Sequence, residues 1–183
     1  MYEVDVLVTQ WINGLAGRNG PLDQVMILVS SVGVPLLVLA VAAQWWARSD
    51  RTYTRHVLVA AGLSFLLGLG VNQIILLFVR RMRPYDGGIT HLLIERSADP
   101  SFPSDHATAT FAIAAAFLVH GLQRRGLAFL LAALLVTFSR VYIGTHYASD
   151  VLGGALTGIV AAGVISTLYR PGTRVDRLVT GIL

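Results

Sequence analysis

Long apolar runs separated by short polar segments dominate this chain. A helix crossing a hydrocarbon core of about 30 Å needs about 20 residues, with about 17 as the lower end of the range. Five runs reach that length: about Leu22 to Ala47, His56 to Val79, Asp105 to Leu122, Gly126 to Tyr142 and Ser149 to Tyr169. The pattern predicts an all-α integral membrane protein, a helical bundle of five transmembrane helices. Ahead of them, residues 2–16 set Val4, Leu7, Val8, Trp11, Ile12 and Leu15 at helical spacing beside Glu3, Thr9, Gln10 and Asn13. That spacing predicts an amphipathic helix lying in the interface with Trp11 near headgroup level; a short sixth span is the alternative.

Composition agrees with the pattern. Of 183 residues, 55% are hydrophobic and 13% charged, about half the charge expected of a soluble domain. No linker, low-complexity tract or repeat divides residues 1–183, which read as a single membrane-embedded domain. The first twenty residues contain Glu3 and Asp5 and lack a basic start before an apolar core, so they do not read as a cleaved signal peptide. With no cysteine, disulfides and thiolate metal sites are excluded.

All 14 basic residues are arginine, the better bidentate ligand for phosphate. Eight of them, Arg48, Arg51, Arg55, Arg124, Arg125, Arg170, Arg174 and Arg177, fall on one side of the predicted bundle. The positive-inside rule makes that side cytoplasmic. The other side, expected to face the periplasm or exterior, receives the N-terminal segment, the 80–104 loop and the 141–148 turn. It carries six arginines and eight of the ten acids, so Arg80, Arg81, Arg83 and Arg140 run against the rule unless function holds them there.

Three clusters of chemistry-bearing residues share that outer side: Arg80-Arg81-Met82-Arg83-Pro84, Ser101-Phe102-Pro103-Ser104-Asp105-His106, and Ser139-Arg140 followed by His146 and Asp150. Two guanidiniums, Arg83 and Arg140, facing a common point at a membrane boundary need an anion between them. Ser104 is a candidate N-cap for the run that follows, whose first turn offers unpaired N–H groups and a positive dipole end suited to phosphate. His106 in that turn is a candidate proton donor. His146 and Asp150, four apart, lie one helical turn from each other if the last helix starts early, so that the carboxylate fixes the imidazole tautomer and arms a nucleophile. Metal binding competes for the same residues, but divalent-metal phosphatases bring more carboxylates together than a face with four arginines provides. No metal and no cofactor are expected.

These residues resemble the signature of the type-2 phosphatidic acid phosphatase superfamily, Lys-x6-Arg-Pro, Pro-Ser-Gly-His and Ser-Arg-x5-His-x3-Asp. Arg83-Pro84 end the first part, Pro103-Ser104 and His106 make the second with Asp105 for Gly, and Ser139-Arg140, His146 and Asp150 complete the third, all within residues 76–154. The resemblance implies His146 as the nucleophile that forms a phosphohistidine, Asp150 as its orienting partner and His106 as general acid. It also implies Arg83, Arg140 and Ser104 as ligands of the phosphoryl oxygens, without metal. Leu76 stands where the signature has Lys, and Arg80 or Arg81 is the candidate replacement. Asp105 adds a negative charge beside His106, favouring its protonated form.

The Ser-Phe-Pro-Ser-Asp-His version looks most like the bacitracin-resistance type of undecaprenyl-diphosphatase. The resemblance therefore implies hydrolysis of a lipid diphosphate drawn from the bilayer, undecaprenyl diphosphate first, at the outer face of a bacterial cell membrane, in cell-wall biogenesis. Phosphatidate, phosphatidylglycerophosphate or lipid A is the alternative substrate, phosphate transfer to a second lipid the alternative reaction, and lipid-phosphate binding or transport without chemistry the alternative class. No nucleic-acid partner is expected. Oligomeric state is not legible, because an apolar face exposed to lipid looks the same as a helix interface. The 85–100 loop reads as a partly solvated lid.

Overall fold

The computed structural model describes residues 2–46 and 50–182. Ala47, at the expected end of the first span, and Arg48, among the expected cytoplasmic arginines, lie outside them. The described residues form helices and contain no strand: α1 (Tyr2–Asn13), α2 (Gly20–Ala43, extended by a 3-10 turn at Gln44–Trp46), α3 (Arg51–Phe78), α4 (Asp105–Val119), α5 (Gln123–Tyr142), α6 (Ala148–Leu168) and α7 (Arg174–Thr180).

Four helices, α2, α3, α5 and α6, are long and apolar enough to cross a membrane. The run expected to supply another full-length span gives α4, with only 15 residues. Its position explains how so short a helix suffices. Packed against α6, α5 and α3, α4 buries Ala107, Thr108, Ala109, Thr110, Ala112, Ile113, Ala114, Ala115, Ala116 and Phe117, so protein rather than lipid surrounds it. Its small side chains admit close neighbours, as small residues do at membrane helix interfaces. A Cβ on Gly154 would strike the Ser104 carbonyl, and one on Gly158 would strike the Thr108 carbonyl. Gly62 and Gly70 on α3, by contrast, face open space.

Helix α1 is amphipathic in the opposite sense to a helix that merely floats in the interface. At 12 residues and a rise of about 1.5 Å per residue it is far too short to be a sixth span. Its polar side, Asp5, Thr9 and Asn13 at four-residue intervals, turns into the protein, and Thr9 and Asn13 are buried. Val4, Leu7 and Trp11 turn outward, Trp11 with 77% of its surface exposed. Asn13 donates to the carbonyls of His91 (2.9 Å) and Tyr142 (2.8 Å) and accepts from His91 N–H (2.8 Å). The 85–100 loop is thereby stitched to α1 and α5, with Leu93 N–H also bonded to the Ile143 carbonyl.

The chain alternates direction, so the C-terminal ends of α3 and α5 and the N-terminal ends of α4 and α6 meet on one face. On the other, α7 is held by a buried pair that nothing in the sequence spacing announced: His56 Nδ1 lies 2.8 Å from Asp176 Oδ1. Asp176 also accepts from Tyr169 Oη (2.7 Å) and Gly172 N–H (2.7 Å).

Candidate active site

The shared face encloses a cavity of about 270 Å³. Arg83, Asp105, His106, Arg140 and His146 all line it, with Thr145, Pro103 and the loop residues Ile94, Glu95, Ser97 and Asp99. Three sequence-distant segments are thus brought to one volume by three different helix ends.

His146 occupies the turn between α5 and α6, which starts only at Ala148, so the expected single helical turn linking it to Asp150 does not exist. Its ring is fixed another way. Nδ1 lies 2.8 Å from the Ser101 carbonyl oxygen, and a carbonyl only accepts, so Nδ1 carries the proton. Nε2 is therefore the unprotonated nitrogen, and its lone pair accepts a long hydrogen bond from the Arg83 guanidinium Nη1 (3.4 Å). Burial does most to hold the His146 pKa below its usual value; Arg140 and Arg83 act in the same direction and the nearby Asp150 carboxylate opposes them. The ring is neutral at neutral pH.

Asp150 is fully buried and lies 3.6 Å from Nδ1, beyond a direct hydrogen bond. Its Oδ2 accepts from Ser101 Oγ (2.5 Å) and from Tyr147 N–H (2.9 Å), and its Oδ1 pairs with Arg81 Nη1 (2.6 Å). Ser101 is the residue that sequence reasoning missed: its carbonyl fixes the histidine and its hydroxyl the aspartate. The only available signal was its position at the head of the Ser-Phe-Pro-Ser-Asp-His stretch.

The two cavity arginines are held by quite different means. Arg83 Nε donates to the Asp99 carbonyl (2.8 Å) and Nη1 to the Thr145 carbonyl (3.0 Å). Arg140 donates through Nη1 to Ser30 Oγ on α2 (2.5 Å), while its Nε is buried without a partner. A buried donor left unpaired is costly, and an anion in the cavity would relieve it.

The remaining expected residues divide. Ser104 stands at the N-cap position of α4, but its hydroxyl makes no cap bond and is buried without a partner; its N–H is taken by the Asp150 carbonyl (3.1 Å). Asp105 lines the cavity and accepts from Asn72 Nδ2 (2.7 Å). Leu76 lines the cavity as the signature position requires, joined by Gln73. Arg80 and Arg81, the candidate replacements for the missing lysine, do not line this cavity; both border a neighbouring hollow with Asp86 and Asp99. Arg81 is engaged by Asp5 (2.6 Å) and Asp150, with its guanidinium 3.9 Å over the Tyr147 ring.

The sequence profile of the PAP2 superfamily aligns with residues 56–174, which span α3 through the start of α7. The chain belongs to that superfamily. Undecaprenyl-diphosphatase BcrC of Bacillus subtilis is 34% identical over 163 residues, 87% of this chain and 83% of the relative. The putative undecaprenyl-diphosphatase YbjG of Escherichia coli is 33% identical over 69% of this chain and 62% of its own length. Among solved structures, the transmembrane PAP2 type phosphatidylglycerolphosphate phosphatase of Bacillus subtilis superposes with a TM-score of 0.69 at 22% identity, over 94% of this chain and 88% of that one. Aquifex aeolicus LpxE follows with a TM-score of 0.61 at 23% identity, over 87% and 93%. The expected all-α membrane bundle is thus the PAP2 fold, and membership makes the chain a membrane-embedded phosphatase of the hydrolase class.

Proposed function

We propose that this PAP2 phosphatase hydrolyses undecaprenyl diphosphate to undecaprenyl phosphate and orthophosphate at the outer face of a bacterial cell membrane. The observation that carries the chemistry is the unprotonated Nε2 of His146, which faces the Arg83 guanidinium while the other ring nitrogen is committed to the Ser101 carbonyl. The identity to the undecaprenyl-diphosphatase BcrC, and to YbjG, which carries the same name as a putative assignment, supports the substrate. The concentration of arginines on the α7 side and the acids on the cavity side supports the orientation.

In this reading Nε2 attacks the terminal phosphorus in line with the bridging oxygen. The P–O bond to the lipid phosphate breaks, and His106 supplies the proton to the departing oxygen. Arg83, Arg140 and the free N–H groups of the first turn of α4 bear the charge on the equatorial oxygens, where positioning and electrostatics supply most of phosphoryl-transfer catalysis. The Asp150 carboxylate stabilises the cationic phosphoimidazole. Water, giving its proton back to His106, then attacks the phosphohistidine and releases orthophosphate. Asp105 belongs to the wall of this site, next to the acid in sequence, whereas Ser104, the other expected phosphate ligand of this stretch, does not line the cavity and keeps its hydroxyl buried. The apolar chain of the substrate remains in lipid.

Orthophosphate release by the purified protein in detergent with EDTA tests the reading, with undecaprenyl diphosphate, phosphatidylglycerophosphate and phosphatidate side by side and His146→Ala as control. Release from undecaprenyl diphosphate that survives EDTA and vanishes in the variant is expected. Preference for another lipid overturns the substrate, turnover in His146→Ala overturns the mechanism, and a phosphorylated lipid in place of orthophosphate makes the enzyme a transferase.

A further inference from the structure

The first turn of α6 is held from outside by α1. Ala148 N–H donates to Thr9 Oγ1 (3.0 Å), Ser149 N–H to Asp5 Oδ1 (2.9 Å), and Ser149 Oγ to Asp5 Oδ2 (2.5 Å). Those are donors that a helix start leaves unpaired, and here a separate helix satisfies them, with a carboxylate at the positive dipole end. The same Asp5 carboxylate pairs with Arg81 at 2.6 Å, and the far nitrogen of that guanidinium pairs with Asp150 at 2.6 Å. Arg81 Nη1 also reaches Ser149 Oγ (2.6 Å). Asp5, Arg81 and Asp150 therefore form one chain of charge-assisted bonds from α1 to the carboxylate behind His146.

We propose that Asp5 and Arg81 are positioning residues for the proposed nucleophile: α1 acts as a clamp that fixes Asp150, and through Ser101 the orientation of His146. The inference rests on the phosphohistidine reading above. Asp150 is fully buried, and a buried carboxylate is tolerated when its lone pairs are bonded and its charge is compensated. Arg81 supplies that compensation. Shared between two carboxylates, it cannot swing to bind a phosphoryl oxygen, and it holds Oδ1 so that Oδ2 stays with Ser101 and 3.6 Å from Nδ1. Burial tends to lower the Arg81 pKa, but Asp5 and Asp150 outweigh it and raise the pKa, so the cation is permanent. Without Asp5, Arg81 keeps only one carboxylate partner, and the first turn of α6 loses the acceptor for Ser149 N–H. The carboxylate that must meet the developing charge on the imidazole keeps Ser101, Tyr147 N–H and Arg81, but the guanidinium that fixes its Oδ1 is then less firmly held.

The test is kinetics and histidine 15N spectra on the full-length protein in detergent, with undecaprenyl diphosphate as substrate. Loss of a residue behind a directly acting ligand characteristically costs about 10- to 100-fold. Asp5→Asn and Arg81→Gln are each expected to lower kcat by about that factor with KM within about twofold, and Asp5→Glu to recover much of the loss. Residues in one network are not additive, so the double variant should be no slower than Arg81→Gln alone. In the spectra, His146 is the Nδ1–H tautomer in the wild type and a tautomer mixture in Asp5→Asn. Wild-type kcat in Asp5→Asn, an effect on KM alone, or strictly additive losses would overturn the clamp. If the wild type releases no phosphate from any lipid, the phosphatase reading fails, and the spectra alone decide: an unchanged His146 tautomer in Asp5→Asn then overturns the clamp as well.

Discussion

The Nδ1 nitrogen of His146 lies 2.8 Å from the main-chain carbonyl oxygen of Ser101. A backbone carbonyl has no second protonation state, so it fixes the imidazole tautomer more rigidly than a carboxylate does. Asp150, at 3.6 Å, is left to act on the ring through its charge.

Because burial, Arg140 and Arg83 together outweigh Asp150, His146 stays neutral as pH falls below the ordinary histidine value of about 6.5. Nucleophilic capacity is expected to persist into mild acid. A 15N titration of the ring, assigned with His146→Gln, should show a midpoint below about 6.5; a midpoint at or above that value contradicts the electrostatics described.

Arg140 spends one nitrogen on Ser30 and keeps Nε in reserve. A lysine has no planar fork with which to do both. Arg140→Lys is expected to lower kcat/KM by about 100-fold, the scale of losing one transition-state donor. Its thermal midpoint should shift little. Near-wild-type activity would remove Arg140 from the phosphate-binding role.

Leu76 and Arg80 make a matched pair of tests. Leu76 lines the cavity, so Leu76→Lys should restore a cation there and tighten inhibition by orthophosphate about tenfold, the worth of one charged hydrogen bond. Arg80 is exposed and lies outside the cavity, so Arg80→Gln should leave kcat and KM within about twofold. Phosphate inhibition measured on both variants decides which position holds the missing cation.

The His56–Asp176 pair is almost wholly buried, with side-chain exposures of 1% and 3%. Removing one partner of such a pair costs roughly 3–5 kcal/mol. Asp176→Asn is expected to lower the unfolding midpoint while leaving kcat per folded molecule unchanged, since the pair lies at the end of α3 remote from the cavity. Burial alone would raise the Asp176 pKa, but His56, Tyr169 and Gly172 outweigh it and hold it low. The carboxylate's stabilisation is therefore full above about pH 3.9 and is lost as pH falls through the lower folded value. Thermal scans from pH 7 to 3 should lose the difference between wild type and variant in that acid range.

Much of this architecture is legible from sequence because a bilayer imposes it: apolar runs of fixed minimum length must be helices, short connections make them antiparallel, and alternate ends then converge. The predicted runs each became a helix, α3 starting five residues ahead of its predicted bound and α4 shorter than a span, and Arg83, His106, Arg140 and His146 meet in one cavity because those helices alternate in direction. Hydropathy also reads α4 as a span like the others, since it cannot distinguish an apolar helix facing lipid from one sheathed in protein. Only the tertiary structure decided that Arg81 serves two carboxylates, that Ser101 orients the histidine, that Ser30 holds Arg140 and that the polar side of α1 faces inward. Each of these depends on which side-chain and main-chain groups from distant segments lie within about 3 Å of one another. Spacing along the chain carries no record of that distance, because a salt bridge or a hydrogen bond between helices is chosen by packing angle and axial offset rather than by local periodicity.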